Sequence, residues 1–213
     1  MTDSIILLAE DHPAWSKLLS FRLSDLSDLI IQDNVSSKAE VIAAIEKRCP
    51  SLLVLDVKLR DGCGLALCPY CQQLEKPVST LILTAYDEDA YMARALAGGA
   101  IGYLLKTEAE LAEIITAIHH ALQGERLWTD YQLLRIQHWQ QVAGDKWAIL
   151  TEREREIVAA LIDFKCDAEI AETLQISLKT VGNHVTSILE KLDMPNRREV
   201  ARWAVKYKLV EVG

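Results

Sequence analysis

Four apolar segments of this chain each end in side chains that can take part in acid, metal or group-transfer chemistry. The junctions are 5–9 with Glu10 and Asp11, 52–55 with Asp56, 81–83 with Thr84, and 101–105 with Lys106. In an open α/β sheet the carboxyl ends of parallel strands share one edge, and ligands bind there. Residues spread over roughly 100 positions of sequence are therefore expected to converge on one site.

The apolar segments alternate with segments of helical spacing. Strands are predicted at 5–9, 29–34, 52–56, 80–84 and 100–104, and helices near 13–26, 38–48, 65–75, 88–98 and 108–122. This alternation is typical of an α/β fold with helices on both faces of a parallel sheet. The segments at 5, 52 and 81 are continuously apolar, as strands buried on both faces should be. We predict a doubly wound, five-stranded parallel sheet.

Glu10, Asp11 and Asp56 would bring three carboxylates together at this edge. Two unit charges roughly 4 Å apart repel by about 1 kcal/mol in water and about 4 kcal/mol at an effective dielectric of 20. A cation is therefore needed, and oxygen ligands that leave positions for water and phosphate favour Mg²⁺ over Ca²⁺. No His or Cys stands nearby at ligand spacing, which disfavours zinc.

A carboxylate beside Mg²⁺, with a lysine and a hydroxyl across from it, can accept a phosphoryl group. Asp56 would attack, Lys106 and the metal would neutralise the equatorial oxygens, and Thr84 would donate a hydrogen bond to the product. An aspartate-nucleophile phosphatase would need a second Asp two residues after the first, where this chain has Lys58. Support for a nucleotide-binding fold is weaker still, because Gly62-Cys63-Gly64 is not followed by the third glycine of the dinucleotide-binding motif.

Residues 1–122 resemble the receiver domain of two-component response regulators. The resemblance rests on Glu10-Asp11, Asp56, Thr84 followed by the small Ala85, and Tyr103 three residues before Lys106. It implies a flavodoxin-like fold, a histidine kinase as phosphoryl donor, and Asp56 as phosphoacceptor. The Lys58 backbone carbonyl is implied as a further Mg²⁺ ligand. It also implies that Thr84 moves toward the phosphoryl group while Tyr103 changes its burial. Arg60 stands where the family usually has proline, which predicts a looser loop at 58–62.

From Thr151 onward the pattern is helical, with helices predicted at 152–164, 167–174, 178–192 and 197–207. Thr151 and Glu154 form a capping-box pattern, and Ser177 can cap the third helix. The short connection 175–177 predicts a helix-turn-helix whose second helix would lie in the DNA major groove.

This segment resembles the LuxR-type DNA-binding domain, so the whole chain resembles a response regulator of the NarL/FixJ type. The shared motifs are Leu150–Ile157, Glu169-Ile170-Ala171, Ile176-Ser177, Thr180-Val181, His184, Ile188-Leu189 and Lys191-Leu192. The resemblance places Gly182, Asn183 and Thr186 opposite bases of double-stranded promoter DNA, and Lys179, Thr180, His184 and, more weakly, Lys191 near phosphates.

Gly182 departs from the lysine or arginine usual in the family, and glycine costs a helix about 1 kcal/mol relative to alanine. Either specificity has moved to Asn183, which can pair bidentately with adenine, or the affinity for DNA is low. Charge agrees with a terminal nucleic-acid contact: the 213-residue chain has a net charge of −8, yet residues 175–208 carry 7 basic and 3 acidic side chains.

We therefore predict a receiver at 1–123, a helical linker at 124–147 and a small all-α helix-turn-helix domain at 148–213. The linker carries three of the five tryptophans, and Asp130 is predicted to cap a helix within it.

No apolar segment approaches the roughly 20 residues of a membrane span, and no signal peptide is evident, so a cytoplasmic location is expected. Five cysteines are expected to be reduced thiols. Cys68-Pro69-Tyr70-Cys71 resembles a glutaredoxin active site, but it falls in the third predicted helix, and a regulatory disulfide remains an alternative.

The predicted function is a phosphorylation-controlled DNA-binding transcriptional regulator that forms a homodimer when phosphorylated. No enzymatic activity is expected beyond its own phosphorylation and dephosphorylation. The alternative is an interaction regulator whose DNA binding is weakened or independent of phosphorylation.

Overall fold

The computed structural model describes residues 4–26 and 29–210. Two compact units are present, Met1–Leu133 and Leu134–Gly213.

The first unit contains a five-stranded parallel sheet with the strand order β2-β1-β3-β6-β7. The strands of this unit are β1 (Ser4–Ala9), β2 (Leu29–Val35), β3 (Leu52–Leu55), β4 (Lys58–Leu59), β5 (Gly62–Cys63), β6 (Ser79–Thr84) and β7 (Gly102–Leu105). The α/β class and the parallel sheet are thus confirmed. The sequence did not predict β4 and β5, a short antiparallel hairpin directly after β3.

Helices cover both faces of the sheet. They are α1 (Pro13–Ser24), α2 (Lys38–Lys47), α3 (Leu67–Gln73), α4 (Asp89–Ala97) and α5 (Leu111–Leu122). On one face, Leu8, Val54 and Leu83 share a buried cluster with Leu19 of α1 and Ile118 of α5. The alternate strand residues, such as Leu7, Leu53 and Ile82, point to the other face and are fully buried. Burial on both faces explains the uninterrupted apolar character of the central strands.

The segment after α5 runs beside β7. The Leu127 N–H donates to the Ile101 carbonyl at 2.7 Å, and Trp128 Nε1 donates to the Ala100 carbonyl at 2.9 Å. A helix, α6 (Asp130–Trp139), follows. The predicted cap was wrong, because Asp130 is already helical, and Thr129 exchanges backbone-to-side-chain hydrogen bonds with Gln132 at 3.1 and 3.2 Å.

The second unit is entirely helical. After a π-helical turn (Gln140–Gly144), its helices are α7 (Asp145–Ala148), α8 (Glu152–Ile162), α9 (Asp167–Leu174), α10 (Leu178–Leu192) and α11 (Arg197–Lys206). The predicted bounds of α9 and α10 are confirmed. The α8 prediction ran two residues too far, because Phe164 adopts a left-handed backbone with a φ of 58°.

The core of the second unit includes side chains from α8 to α11, among them Ile157, Ile170, Val181 and Val200. Two tryptophans of the predicted linker pack against this core: Trp139 Nε1 donates to the Tyr207 carbonyl at 3.1 Å, and the Trp147 ring lies 6.3 Å from that of Trp203. Across residues 4–26 and 29–210, no helix has the length and apolar character required to cross a membrane.

Candidate functional site

Three carboxylates meet at the carboxyl edge of the sheet. Glu10 and Asp11 follow β1, and Asp56 follows β3, which lies beside β1. One oxygen from each carboxylate lies within 4.8 Å of the others. Glu10 and Asp56 are buried, whereas Asp11 is exposed. The strand order therefore gathers residues that are 46 positions apart in the sequence.

Lys106, directly after β7, reaches into this acidic cluster. Its Nζ donates to Asp56 Oδ2 at 2.6 Å and also to Glu10 Oε2. The same ammonium lies 5.7 Å from the centre of the Trp15 ring. Since all three charged side chains are buried, the two ion pairs are poorly screened by solvent.

Glu10 is the carboxylate whose protonation is most affected by this environment. Burial raises the pKa of Glu10 above 4.5, and the hydrogen bond and charge of Lys106 oppose that rise. The nearby charge of Asp56 raises the pKa further, and Glu10 Oε1 accepts a hydrogen bond from the His12 N–H at 3.0 Å. The cluster therefore favours additional positive charge.

Asp56 Oδ1 is the unpartnered atom of the site. It is buried, and among the residues that the structure describes none donates a hydrogen bond to it. A buried acceptor without a partner costs on the order of 1–3 kcal/mol. An oxygen-only donor set suits a hard cation such as Mg²⁺. The residues present thus fit a Mg²⁺ site that includes this oxygen.

Thr84 and Lys106, which supply the hydroxyl and the ammonium of the site, are joined by a backbone hydrogen bond. Thr84 ends β6 and is fully buried, and its carbonyl accepts the Lys106 N–H at 2.8 Å. Thr84 Oγ1 accepts the N–H of Tyr86 at 3.4 Å, across the small Ala85. Threonine and lysine therefore stand on adjacent strand ends at the edge that carries Asp56.

Tyr103 of β7 points inward. Its side chain is 1% exposed, its hydroxyl donates to the Tyr86 carbonyl at 2.6 Å, and its ring centre lies 6.1 Å from that of Trp128. Burial raises the pKa of Tyr103, so the phenol stays protonated and remains a donor. Sequence reasoning identified Tyr103 but gave no sign of the Tyr86 carbonyl or Trp128 as its neighbours.

The 58–62 loop, which the sequence predicted to be looser because of Arg60, forms hydrogen bonds with residues 36–40. The Arg60 N–H donates to the Ser36 carbonyl at 2.9 Å, and its guanidinium pairs with Glu40 at 2.8 Å. Asp61 accepts the Lys38 N–H at 2.7 Å, and that bond lowers the pKa of Asp61. Lys58 lies in β4, in a hairpin held against the start of α2.

In the second unit, α9 and α10 form a helix-turn-helix. Gln175 ends α9 in a left-handed conformation, with a φ of 54°, and Ser177 Oγ caps α10 by accepting the Thr180 N–H at 3.1 Å. The buried side of α10 carries Val181, Val185, Ile188 and Leu192. The residues predicted to contact DNA fall into two groups by exposure. The exposed ones are Lys179, Asn183, Thr186 and Lys191. The half-buried ones are Thr180, Gly182 and His184.

Lys191 is engaged within the protein. Its Nζ donates to Glu154 Oε1 at 2.9 Å and to Oε2 at 2.7 Å, and Ser187 also donates to Oε1. Burial raises the pKa of Glu154, but the hydrogen bonds from Lys191, Thr151 and Ser187 outweigh burial and lower the pKa to about 2. The capping-box pattern predicted the Thr151 contact; no local pattern indicates a partner 37 positions away.

The Cys68 and Cys71 thiols are both fully buried in α3. Burial raises the pKa of Cys68 to about 12 and also raises the pKa of Cys71. Because the thiolate is the reactive species, this environment opposes thiol redox chemistry.

Comparisons with known proteins agree with this geometry. The profile of the family described as "Response regulator receiver domain" matches residues 6–119, and that of "Bacterial regulatory proteins, luxR family" matches residues 148–204. The response regulator protein VraR of Staphylococcus aureus is 28% identical over 206 residues, which cover 97% of this chain and 98% of VraR.

Two solved structures share the fold along nearly the whole chain. ChrA, a response regulator of a heme-sensing two-component system, is 25% identical with a TM-score of 0.55, covering 99% of this chain and 100% of ChrA. RcsB from Salmonella enterica serovar Typhimurium, solved bound to a promoter in the presence of phosphomimetic BeF3−, is 20% identical with a TM-score of 0.62. The match covers 95% of this chain and 98% of RcsB.

A receiver joined to a DNA-binding domain fits a regulator rather than an enzyme. The acidic cluster, the helix-turn-helix and both family matches lead to the same assignment. The chain belongs to the response regulators of the NarL/FixJ type, which combine a receiver with a LuxR-type DNA-binding domain.

Proposed function

We propose that this protein is a transcriptional regulator whose DNA binding is controlled by phosphorylation of Asp56. The observation that carries the proposal is the Asp56 carboxylate, which is buried with one oxygen held by Lys106 and the other unpartnered. A structural aspartate would have its oxygens satisfied. A carboxylate left partly unsatisfied beside two acidic neighbours is suited to binding a cation and to nucleophilic attack.

In the proposed reaction the donor is a phosphohistidine of a histidine kinase. A carboxylate oxygen of Asp56 attacks phosphorus, the phosphorus–nitrogen bond breaks, and the electron pair returns to the histidine ring. Lys106 then binds a phosphoryl oxygen in place of the carboxylate oxygen, and Thr84 donates its hydroxyl to another. Hydrolysis of the acyl phosphate resets the site, so the only chemistry expected is the protein's own phosphorylation and dephosphorylation.

The groups that would hold Mg²⁺ are the side chains of Glu10, Asp11 and Asp56 and the backbone carbonyl of Lys58. When bound, Mg²⁺ would neutralise part of the negative charge that develops on the transferred phosphoryl group. Lys106 alone cannot compensate three carboxylates and a phosphoryl group, which supports a second cation.

We propose that the switch involves Thr84, Ala85 and Tyr103. Movement of Thr84 toward a phosphoryl group would shift the backbone of Ala85 and Tyr86. Because Tyr86 supplies the carbonyl that Tyr103 binds, that shift would change the position of the buried ring. This coupling would remodel the surface around α4 and β7.

The proposed output is binding of α10 in the major groove of promoter DNA, by a homodimer formed on phosphorylation. RcsB has been solved as dimers bound to DNA, and this chain shares its fold. Lys179, Thr180, Gly182, Asn183, His184 and Thr186 form the proposed contact surface. Lys191 is the weakest candidate, because its ammonium is already bound by Glu154. Domain limits at 123 and 147 and a cytoplasmic location remain part of this proposal.

The test combines labelling and binding. The full chain is incubated with acetyl phosphate and Mg²⁺, the phosphorylated residue is located by mass spectrometry, and DNA binding is measured by mobility shift with competitor DNA. Phosphorylation at Asp56 and tighter specific binding are expected; Asp56→Asn should abolish both. Asp33→Asn, at an exposed strand position, is the control and should behave as wild type. Equal specific binding with and without phosphorylation would favour the alternative, a phosphorylation-independent interaction regulator.

A further inference from the structure

The first three residues of one line along the exposed surface of α10 carry no charge, and the line then ends in Glu190. Leu178, Gly182 and Thr186 follow one another at four-residue spacing and therefore lie along one line of the helix surface, called here the apolar line. Leu178, the first residue of the helix, is 58% exposed. Lys179 and Asn183 form the neighbouring line, and both are exposed.

The fold does not require glycine at the centre of the apolar line. A Cβ at position 182 would meet no atom within 4 Å in the part of the chain that the structure describes. Gly182 has no positive φ that would exclude other residues. Glycine inside a helix lowers its stability, and the protein gains no packing contact in exchange. Close approach of the helix backbone to a ligand is the advantage that glycine offers.

Thr186 adds a methyl group to the same line. Its hydroxyl is turned back along the helix and donates to the Gly182 carbonyl at 3.0 Å. The single proton of the hydroxyl is thereby used within the helix, so Thr186 cannot donate to a base from this position, and its methyl group can contact an apolar partner. Two apolar side-chain ends thus flank a stretch of bare backbone.

We propose that the apolar line reads thymine methyl groups in the major groove. The C5 methyl of thymine is the apolar feature among the base edges exposed there, and threonine and other apolar side chains recognise it. A lysine or arginine at position 182 would instead reach O6 and N7 of guanine. Asn183, on the neighbouring line, can pair bidentately with adenine, so both lines select A·T pairs. This inference rests on the proposed DNA-binding function and adds the class of base pair recognised.

The test removes single methyl groups from DNA. Sites bound by the full chain are first selected from random sequence, in the phosphorylation condition that gives tighter binding. Each thymine of a selected site is then replaced by uracil, which lacks only the methyl. One or two positions per half-site should lose about fourfold in affinity on replacement.

Protein variants assign those positions. Leu178→Ala should weaken binding to sites that contain thymine, and at one position it should abolish the loss of affinity caused by uracil. Leu134→Ala changes a similarly exposed leucine outside α10 and should alter neither the affinity nor the response to uracil. Gly182→Ala should raise the melting temperature yet weaken binding, because its methyl blocks close approach. Gly182→Lys should move selected sites toward G·C pairs, and its added positive charge should steepen the salt dependence of binding.

Failure of thymine reading can be distinguished from failure of the proposed DNA-binding function. Sequence-specific binding that is indifferent to uracil at every position, or Gly182→Ala that binds as tightly as wild type, would overturn thymine reading and leave the DNA-binding function intact. If no sequence-specific binding occurs in any condition, both are overturned.

Discussion

The hydroxyl of Tyr103 donates a 2.6 Å hydrogen bond to the backbone carbonyl of Tyr86, two residues after Thr84. This bond connects a buried ring on β7 to the loop that follows β6. Only two peptide units separate Thr84 from the carbonyl that Tyr103 binds, so the proposed movement of Thr84 would reach that hydrogen bond by a short backbone path.

Tyr103→Phe should lower the free energy of unfolding by about 1 kcal/mol, since it removes one buried hydrogen bond and retains the ring. Urea unfolding followed by circular dichroism measures this difference. Tyr70→Phe is the control, because no hydrogen bond of that hydroxyl is seen among the described residues, and it should be nearly neutral. A neutral Tyr103→Phe would show that the bond does not stabilise the inward ring.

Lys106→Met should destabilise the first unit by about 3–5 kcal/mol, because it leaves Glu10 and Asp56 as buried carboxylates without their cation. Addition of Mg²⁺ should restore part of the loss, which thermal unfolding with and without Mg²⁺ can measure. Lys17→Met, at an exposed position of α1, should change little. Equal melting temperatures for Lys106→Met and wild type would contradict the ion pairs described here.

Asp11→Asn should weaken Mg²⁺ binding by about tenfold or more, since it removes one charged oxygen ligand from the cluster. Trp15 provides the signal, because its ring lies 5.7 Å from Lys106 Nζ and its fluorescence should respond when Mg²⁺ enters. Trp15→Phe identifies that part of the response among five tryptophans. A titration curve unchanged by Asp11→Asn would remove Asp11 from the ligand set.

The stability of the second unit should fall in acid because of Glu154. Its pKa is about 2 in the folded protein and 4.5 when unperturbed. A depressed carboxylate pKa contributes stability that is complete above pH 4.5 and disappears as the pH falls through 2. The contribution is about 3 kcal/mol. Urea unfolding between these pH values should show the slope in wild type and a smaller slope in Lys191→Met, while Glu152→Gln should retain it.

Arg60→Pro should lower the free energy of unfolding by about 1 kcal/mol, because proline cannot supply the N–H that Ser36 accepts. Arg60→Ala retains that N–H and removes only the exposed pair with Glu40, so it should cost less. Chemical denaturation of both variants gives the comparison. A proline variant as stable as the alanine variant would show that the backbone bond contributes little.

The sequence predicted the elements that position the acidic site because alternation and strand-end chemistry are local patterns. Asp56 and Lys106 each end an apolar segment, and parallel pairing necessarily brings such ends to one edge. The β4–β5 hairpin was missed because two-residue strands leave no periodicity to detect.

Contacts between distant residues could not be predicted in the same way. Glu154 satisfies a local capping pattern with Thr151, and nothing near it in the sequence indicates Lys191. The cap at Asp130 was misassigned because Thr129 and Asp130 are both residue types that cap helices well, and in the structure it is Thr129 that exchanges hydrogen bonds with Gln132.

The hydrogen bond from the Lys106 N–H to the Thr84 carbonyl has a consequence for how the site can vary. Strand side chains alternate between faces, so a slip of β7 against β6 by one residue would carry the ammonium to the opposite side of the sheet. Insertions or deletions of a single residue in either strand should thus be incompatible with a working site. Insertions or deletions in the loops between strands and helices do not shift β7 against β6, so they leave Lys106 and Thr84 on the same side of the sheet.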